Sequence, residues 1–185
     1  MQDFRKFILP IVSDEYEFGC GCFVGNYFIT AGHIFDSNST HYINFEGKKY
    51  QLSPSNALYL RSCKSDLPDN EVQDIAIFKF ENINSPLSLC GCMPYPNSEF
   101  TNYSFINSET GALNPYIMIE CNCRVVNRIF NFFECDTSLT LHEGSSGSPI
   151  IYDNVVYGIL SGCLNTEAAP KRILFCSTLH LPSLK

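Results

Sequence analysis

The 185-residue chain carries a formal net charge of −7, with 12 Lys and Arg against 19 Asp and Glu. That balance argues against a nucleic-acid binder, whose phosphate contacts need clustered cations, and no apolar run approaches the roughly 18 residues of a membrane-spanning helix. A hydrophobic content of 45% with 17% charged residues belongs to a folded protein, long enough for one domain or for two small lobes that share a cleft.

The N-terminal stretch MQDFRKFILPIVSDEYE holds a short apolar patch. It has no long apolar run and no small-residue cleavage site, so no secretory signal is expected. Short runs rich in Val, Ile, Phe and Tyr then recur, and they predict strands at 22–30, 41–45, 75–80, 117–126, 131–135, 149–152, 155–160 and 173–177. Turn signals separate them: Gly25-Asn26, Glu46-Gly47, Ser53-Pro54, Leu67-Pro68-Asp69-Asn70, Tyr95-Pro96-Asn97 and Asp153-Asn154. The last is a two-residue hairpin turn between Ile150-Ile151-Tyr152 and Val155-Val156-Tyr157. No long stretch shows helical periodicity and no repeat is visible, so the pattern predicts an all-β sandwich or barrel. The stretch from Asn84 to Asn102 is rich in Pro, Ser and Asn and reads as a connection. The linker proper is placed at 87–102, between halves at 1–86 and 103–185.

Ten cysteines occur, six of them as the Cys-x-Cys pairs Cys20/Cys22, Cys90/Cys92 and Cys121/Cys123. Alternate residues of a strand share a face, so each pair would sit side by side. The expected state is buried thiols acting as small hydrophobes in a reducing compartment. Disulfides and a metal site stand as the alternatives.

Four histidines are candidates for acid–base work. His33 follows an apolar strand in FITAGHIF. His41 opens a predicted strand, where an exposed structural role is expected. His142 precedes the stretch HEGSSGSPII, and His180 lies in an apolar context near the C-terminus. Asp74 opens DIAIFKF and so places an acid at the edge of a buried run, where it needs hydrogen bonds. A serine hydroxyl is a weak nucleophile until a base stands within hydrogen-bond reach and a carboxylate orients that base. Ser145, Ser146 and Ser148 are the serines in question.

The order of these blocks carries a resemblance. His33 in T-A-G-H, Asp74 in D-I-A-I and Ser146 in G-S-S-G-S-P are separated by 41 and 72 positions. This arrangement resembles the chymotrypsin-like serine peptidase superfamily over about 18–178. The resemblance implies two six-stranded antiparallel β-barrels with the active site in the cleft between them. His33 and Asp74 would come from the N-terminal barrel and Ser146 from the C-terminal one. It implies Ser146 as nucleophile, His33 as general base and acid, Asp74 as its orienting carboxylate, and the amides of Gly144 and Ser146 as the oxyanion hole. GILSG at 158–162 resembles the family's substrate-pairing strand. Ser161 would then support Asp74 by a hydrogen bond, and Ser161 and Gly162 would line the substrate pocket.

Departures from the family pattern narrow the expectation. Ser145 stands where secreted members have the Asp that receives a new N-terminus, and Ile34 replaces the cysteine after the histidine. These differences favour an intracellular, cytoplasmic, non-digestive member that is active without prodomain removal. Thr140, followed by Leu141 and His142, offers no acid at the pocket floor. Leu160 stands where glutamate- and glutamine-specific relatives carry a histidine. With Cys163 and Ile173-Leu174-Phe175 as walls, a neutral, apolar or small P1 residue is expected. Some viral relatives hold a structural zinc through a Cys-x-Cys in the inter-barrel connection, so Cys90 and Cys92 with Cys121 and Cys123 form a candidate all-thiolate zinc site; no other cofactor is expected. The expected partner is a protein or peptide substrate, with an activating protein partner as the route to regulation. A silent peptidase-like binding module is the alternative function. A Cys-rich metal or redox domain is a weaker one, since it leaves the order of the three blocks unexplained.

Overall fold

The architecture follows from strands whose two faces are buried against different things. The computed structural model describes residues 3–13, 18–36, 40–62, 68, 71–90, 93–107, 116–137, 145–161 and 172–178. Among these residues, fourteen strands form two sheets of seven.

The first sheet holds β1 (Ile8–Ser13), β2 (Phe18–Val24), β3 (Tyr27–Thr30), β4 (His41–Phe45), β5 (Lys48–Leu52), β6 (Tyr59–Arg61) and β7 (Ile75–Lys79), in the order β5-β4-β1-β2-β3-β7-β6. The second holds β8 (Ser88–Leu89), β9 (Glu99–Asn107), β10 (Tyr116–Ile129), β11 (Phe132–Thr137), β12 (Pro149–Tyr152), β13 (Val155–Ser161) and β14 (Arg172–Ser177), in the order β12-β9-β10-β11-β14-β13-β8. Pairing of β12 with β13 closes six strands of the second sheet into a barrel.

Two details depart from a pair of six-stranded antiparallel barrels. The two-residue strand β8 adds to β13 in parallel, outside the closed ring. The first sheet curls without joining its ends, β5 and β6, among the described residues. Its β1 also pairs with β4 only through Val12 and Ser13.

Three apolar clusters account for the layers. One fills the first sheet's concave side with Phe7, Ile11, Phe23, Phe28, Ile43 and Phe78. One fills the second barrel with Phe100, Val125, Phe133, Ile150, Leu160 and Phe175. The third draws on both sheets, with Cys20, Cys22, Ile75 and Ile77 from the first and Ile159, Leu174 and Cys176 from the second. This explains why DIAIF is continuously apolar: Ile75 and Ile77 face the interface while Ala76 and Phe78 face the first sheet's interior. Period two survives, but both phases are buried.

The predicted strand at 22–30 is broken where Gly25-Asn26 turns the chain, giving the end of β2 and then β3. The Asp153-Asn154 hairpin forms as read, with positive φ at both residues (51° and 62°), the twist a tight hairpin needs. The strands at 41–45 and 149–152 appear with their expected bounds. Strand β8 and the first four residues of β9 fall within the stretch read as a connection.

Candidate active site

The side chains singled out by the sequence meet where the two sheets face each other. His33 sits in a single 3-10 turn, Gly32–Asp36, directly after β3. Asp74 is the last residue before β7 and is fully buried. Its Oδ1 accepts the backbone N–H of His33 at 2.7 Å, and its Oδ2 lies 2.6 Å from His33 Nδ1. Ser161, at the end of β13, donates its hydroxyl to the same Oδ2 at 2.5 Å. The Asp74 N–H donates to Cys176 Sγ at 3.4 Å. A carboxylate this deep is costly unless hydrogen-bonded, and three donors meet that need.

A carboxylate only accepts, so the His33 proton belongs on Nδ1 and the Nε2 lone pair faces outward. The Ser146 hydroxyl lies 3.0 Å from that Nε2 and is placed to donate to it. The imidazole is part-exposed at 29% while Asp74 is at 0%. One end of this chain of hydrogen bonds is therefore sealed and the other open to a ligand.

The loop carrying Ser146 is tied to both sheets. The Ser146 carbonyl accepts the Cys20 N–H at 2.8 Å, and the Gly147 N–H donates to the Leu160 carbonyl at 2.9 Å. Gly147 holds φ at +87°, and an added Cβ there would lie 2.1 Å from the Cys20 carbonyl oxygen. Thr30 donates its hydroxyl to that same oxygen at 2.6 Å. Asn102 Nδ2 donates to Ser148 Oγ at 3.0 Å and to the Pro149 carbonyl at 3.1 Å.

His33, Asp74, Ser146 and Ser161 are thus brought together. Thr140, Leu141, His142, Gly144, Gly162, Cys163 and His180 lie outside the described residues. His41 does open β4, but it is buried at 2% rather than exposed, with its ring edge-on to Phe35 at 5.3 Å. Thr30, Asn102 and Cys176 were not singled out. Thr30 lies inside the T-A-G-H block, and that adjacency was the only available signal.

Among the described cysteines, Cys20, Cys22, Cys135 and Cys176 are buried free thiols. Burial pushes Cys22 and Cys176 up to about 12 and raises Cys20 and Cys135 strongly. Among the described residues no three His, Cys, Asp or Glu side chains come together to hold a metal. Cys92, one of the four thiols of the candidate zinc site, lies outside them; the Cys90 N–H donates to the Val156 carbonyl of β13, and Cys121 and Cys123 lie on β10, paired with β9. Nor is any helix among the described residues long and apolar enough to cross a membrane.

Two curled β-sheets packed face to face, with cleft side chains contributed by both, define the chymotrypsin-like two-barrel fold. No protein-family model and no curated protein matches the sequence. Solved structures do match. The scabies mite inactivated protease paralogue S-D1 aligns with a TM-score of 0.68 at 15% identity, over 97% of this chain and 91% of that one. The serine protease of a human pathogenic astrovirus aligns with a TM-score of 0.62 at 19% identity, over 96% and 94%. Catalytically active tobacco etch virus protease in complex with product aligns with a TM-score of 0.64 at 16% identity, over 96% and 76%. At these identities the likeness establishes the fold.

Proposed function

We propose that the chain is a serine endopeptidase acting through an acyl-enzyme on Ser146. The observation that carries this reading is the continuous hydrogen-bonded chain from Ser161 through Asp74 and His33 to Ser146. In the proposed reaction Ser146 Oγ attacks the carbonyl carbon of the scissile bond as His33 Nε2 takes its proton. The amides of Gly144 and Ser146 receive the oxyanion. His33 then gives the proton to the leaving amine as the C–N bond breaks. Water then attacks the ester carbonyl as His33 takes its proton, and His33 returns that proton to Ser146 Oγ as the acyl–oxygen bond breaks and the acid product leaves. Asp74 holds the imidazole tautomer and stabilises the imidazolium between the two transfers.

The substrate is a protein or peptide with a neutral, apolar or small P1 residue; Thr140 stands where an acid would select Lys or Arg, and Leu160 where a histidine would select Glu or Gln. Buried free thiols support a reducing, cytoplasmic setting, and activity would be gated, if at all, by a protein partner. The second reading, a silent binding module, draws on the inactivated mite paralogue that shares this fold.

Fluorophosphonate labelling separates the two. The parent protein is expected to label, and Ser146→Ala and His33→Ala are not. An unlabelled parent, with and without candidate substrates, would favour the binding module. A fluorogenic peptide panel in which Arg at P1 is cleaved best would overturn the proposed preference.

A further inference from the structure

A cavity of about 420 Å³ opens on the second barrel, and none of His33, Asp74, Ser146 and Ser161 lines it. Its walls include Phe100, Tyr157, Tyr95 and Tyr152, with Met93 and Glu99. Phe100 and Tyr157 close the inner side, with ring centroids 4.6 Å apart and tilted by 44°. Tyr95 and Tyr152 stand at the rim, 71% and 62% exposed. The cavity size is that of an ordinary ligand site.

The walls are held in place. The Asn97 N–H donates to the Val125 carbonyl at 2.7 Å and the Val125 N–H returns a bond to Ser98 at 2.9 Å. The turn carrying Tyr95 is thereby pinned to β10. Tyr152 ends β12 on the rigid 153–154 hairpin. Ser146 precedes the same strand, so the cavity stands up to about 20 Å from it along the chain.

The electrostatics point to a cation. Elsewhere this protein covers its aromatic rings with its own cations, as Lys49 over Tyr42 at 3.8 Å, Arg61 over Tyr59 at 4.5 Å and Lys48 over Tyr50 at 5.3 Å. Among the described residues no Lys or Arg stands over Phe100, Tyr95 or Tyr152, and none lines the cavity. Glu99 is in an ion pair with no described residue. Its cross-strand neighbour Arg124 is turned to Asp136 at 3.2 Å. Ring faces carry negative charge, and a cation among several of them beside a carboxylate is favoured further when partly desolvated. The chain's net charge of −7 adds to the attraction.

We propose that this cavity is a docking site for a basic protein segment, with one Lys or Arg side chain inserted among the rings and facing Glu99. The exposed tyrosines at the rim offer the rigid amphipathic contact that protein partners use. The proposal is independent of the peptidase reading: the occupant is a basic segment of a partner protein, whether or not Ser146 acts on that partner.

Fluorescence anisotropy with labelled Gly-Ala-Lys-Ala-Gly tests it. The full chain carrying Ser146→Ala is used, so that no hydrolysis intervenes. The lysine peptide is expected to bind, and replacing its lysine by norleucine, or introducing Tyr152→Ala or Glu99→Gln, is expected to weaken binding roughly 5- to 10-fold. Thermal melting of each variant verifies that it is folded. Equal binding of the norleucine peptide, no response to either substitution, or no saturable binding would each overturn the proposal. Preferential binding of an Ala-Pro peptide would also overturn it, assigning the cavity to extended proline-rich segments.

Discussion

Replacing Gly147 by alanine tests the placement of the Ser146 loop. The added Cβ would lie 2.1 Å from the Cys20 carbonyl oxygen, 2.3 Å from Thr30 Oγ1 and 3.0 Å from the Ala31 nitrogen. The two closest atoms are hydrogen-bonded to each other at 2.6 Å, and Cys20 and Thr30 are both fully buried, so neither yields alone. The loop and β2 must part by about 1 Å, at an overpacking cost of about 1–3 kcal/mol. The left-handed φ of +87° adds about 1–2 kcal/mol for a residue with a Cβ. The sum of about 2–5 kcal/mol corresponds to a Tm lower by roughly 5–20 °C for a chain of this size. A shift of about 1 Å in Ser146 relative to His33 also carries a rate cost of about 100-fold. Gly25→Ala is the control. Gly25 has φ +57° with nothing within 4 Å of an added Cβ, so it incurs the backbone cost alone. Differential scanning fluorimetry and fluorophosphonate labelling rates are the assays. If Gly147→Ala melts with Gly25→Ala and labels at the parent rate, the packing of this loop against β2 is refuted.

Ser161→Ala removes a hydrogen bond to a buried carboxylate, an interaction of about 1.5–3 kcal/mol. A lower Tm and labelling slowed by about 10-fold are expected, and no change in either would detach Ser161 from the site. Asp74→Asn is expected to slow labelling by roughly 10,000-fold with the circular dichroism spectrum retained, because an amide cannot hold the same imidazole tautomer. Stability is expected to fall in alkali. Below about pH 9 Cys22 and Cys176 are protonated in both folded and unfolded chains, so their contribution is fully present. Above it the unfolded thiols ionise while the buried ones keep their protons to about 12. Each thiol then removes about 1.4 kcal/mol per pH unit. Urea midpoints between pH 8 and 10.5 measure this, and Cys22→Ala should flatten the slope.

The site was legible because each of its parts is local. T-A-G-H, D-I-A-I and G-S-S-G-S-P are contiguous blocks in the sequence, although His33 and Ser146 are 113 positions apart. The strands that the apolar pattern does not mark have separate physical causes. In β9 the barrel-facing positions are Phe100, Asn102 and Ser104, and Asn102 is buried because it bonds Ser148 and Pro149 rather than because it is apolar. The other face carries Tyr103 and Phe105, buried in the interface cluster, so the apolar positions switch faces along the strand and the period is blurred. β1 contains Pro10, which reads as a break in a strand interior. β5, KKYQL, presents mostly exposed residues and has only Leu52 to mark it. His41 was placed in the right element but on the wrong side, because its burial depends on Phe35, which arrives from the turn after His33.

What joins the blocks is the interface cluster, and its residues are the immediate neighbours of the site. Ile75 follows Asp74, Cys20 bonds the Ser146 carbonyl, and Cys176 both packs in the cluster and accepts the Asp74 N–H. A hydrogen bond across the interface contributes about 0.5–1.5 kcal/mol net. Burial of one large apolar side chain contributes about 1.5–3 kcal/mol, and the cluster holds Ile8, Ile29, Ile75, Ile77, Phe132 and Ile159 at 2% exposure or less. Apolar packing therefore holds the two sheets together, while the few polar ties fix the register in which they meet. A chain that kept His33, Asp74 and Ser146 but lost that packing would carry Ser146 on one barrel and its base on the other, with no means of holding them at 3.0 Å.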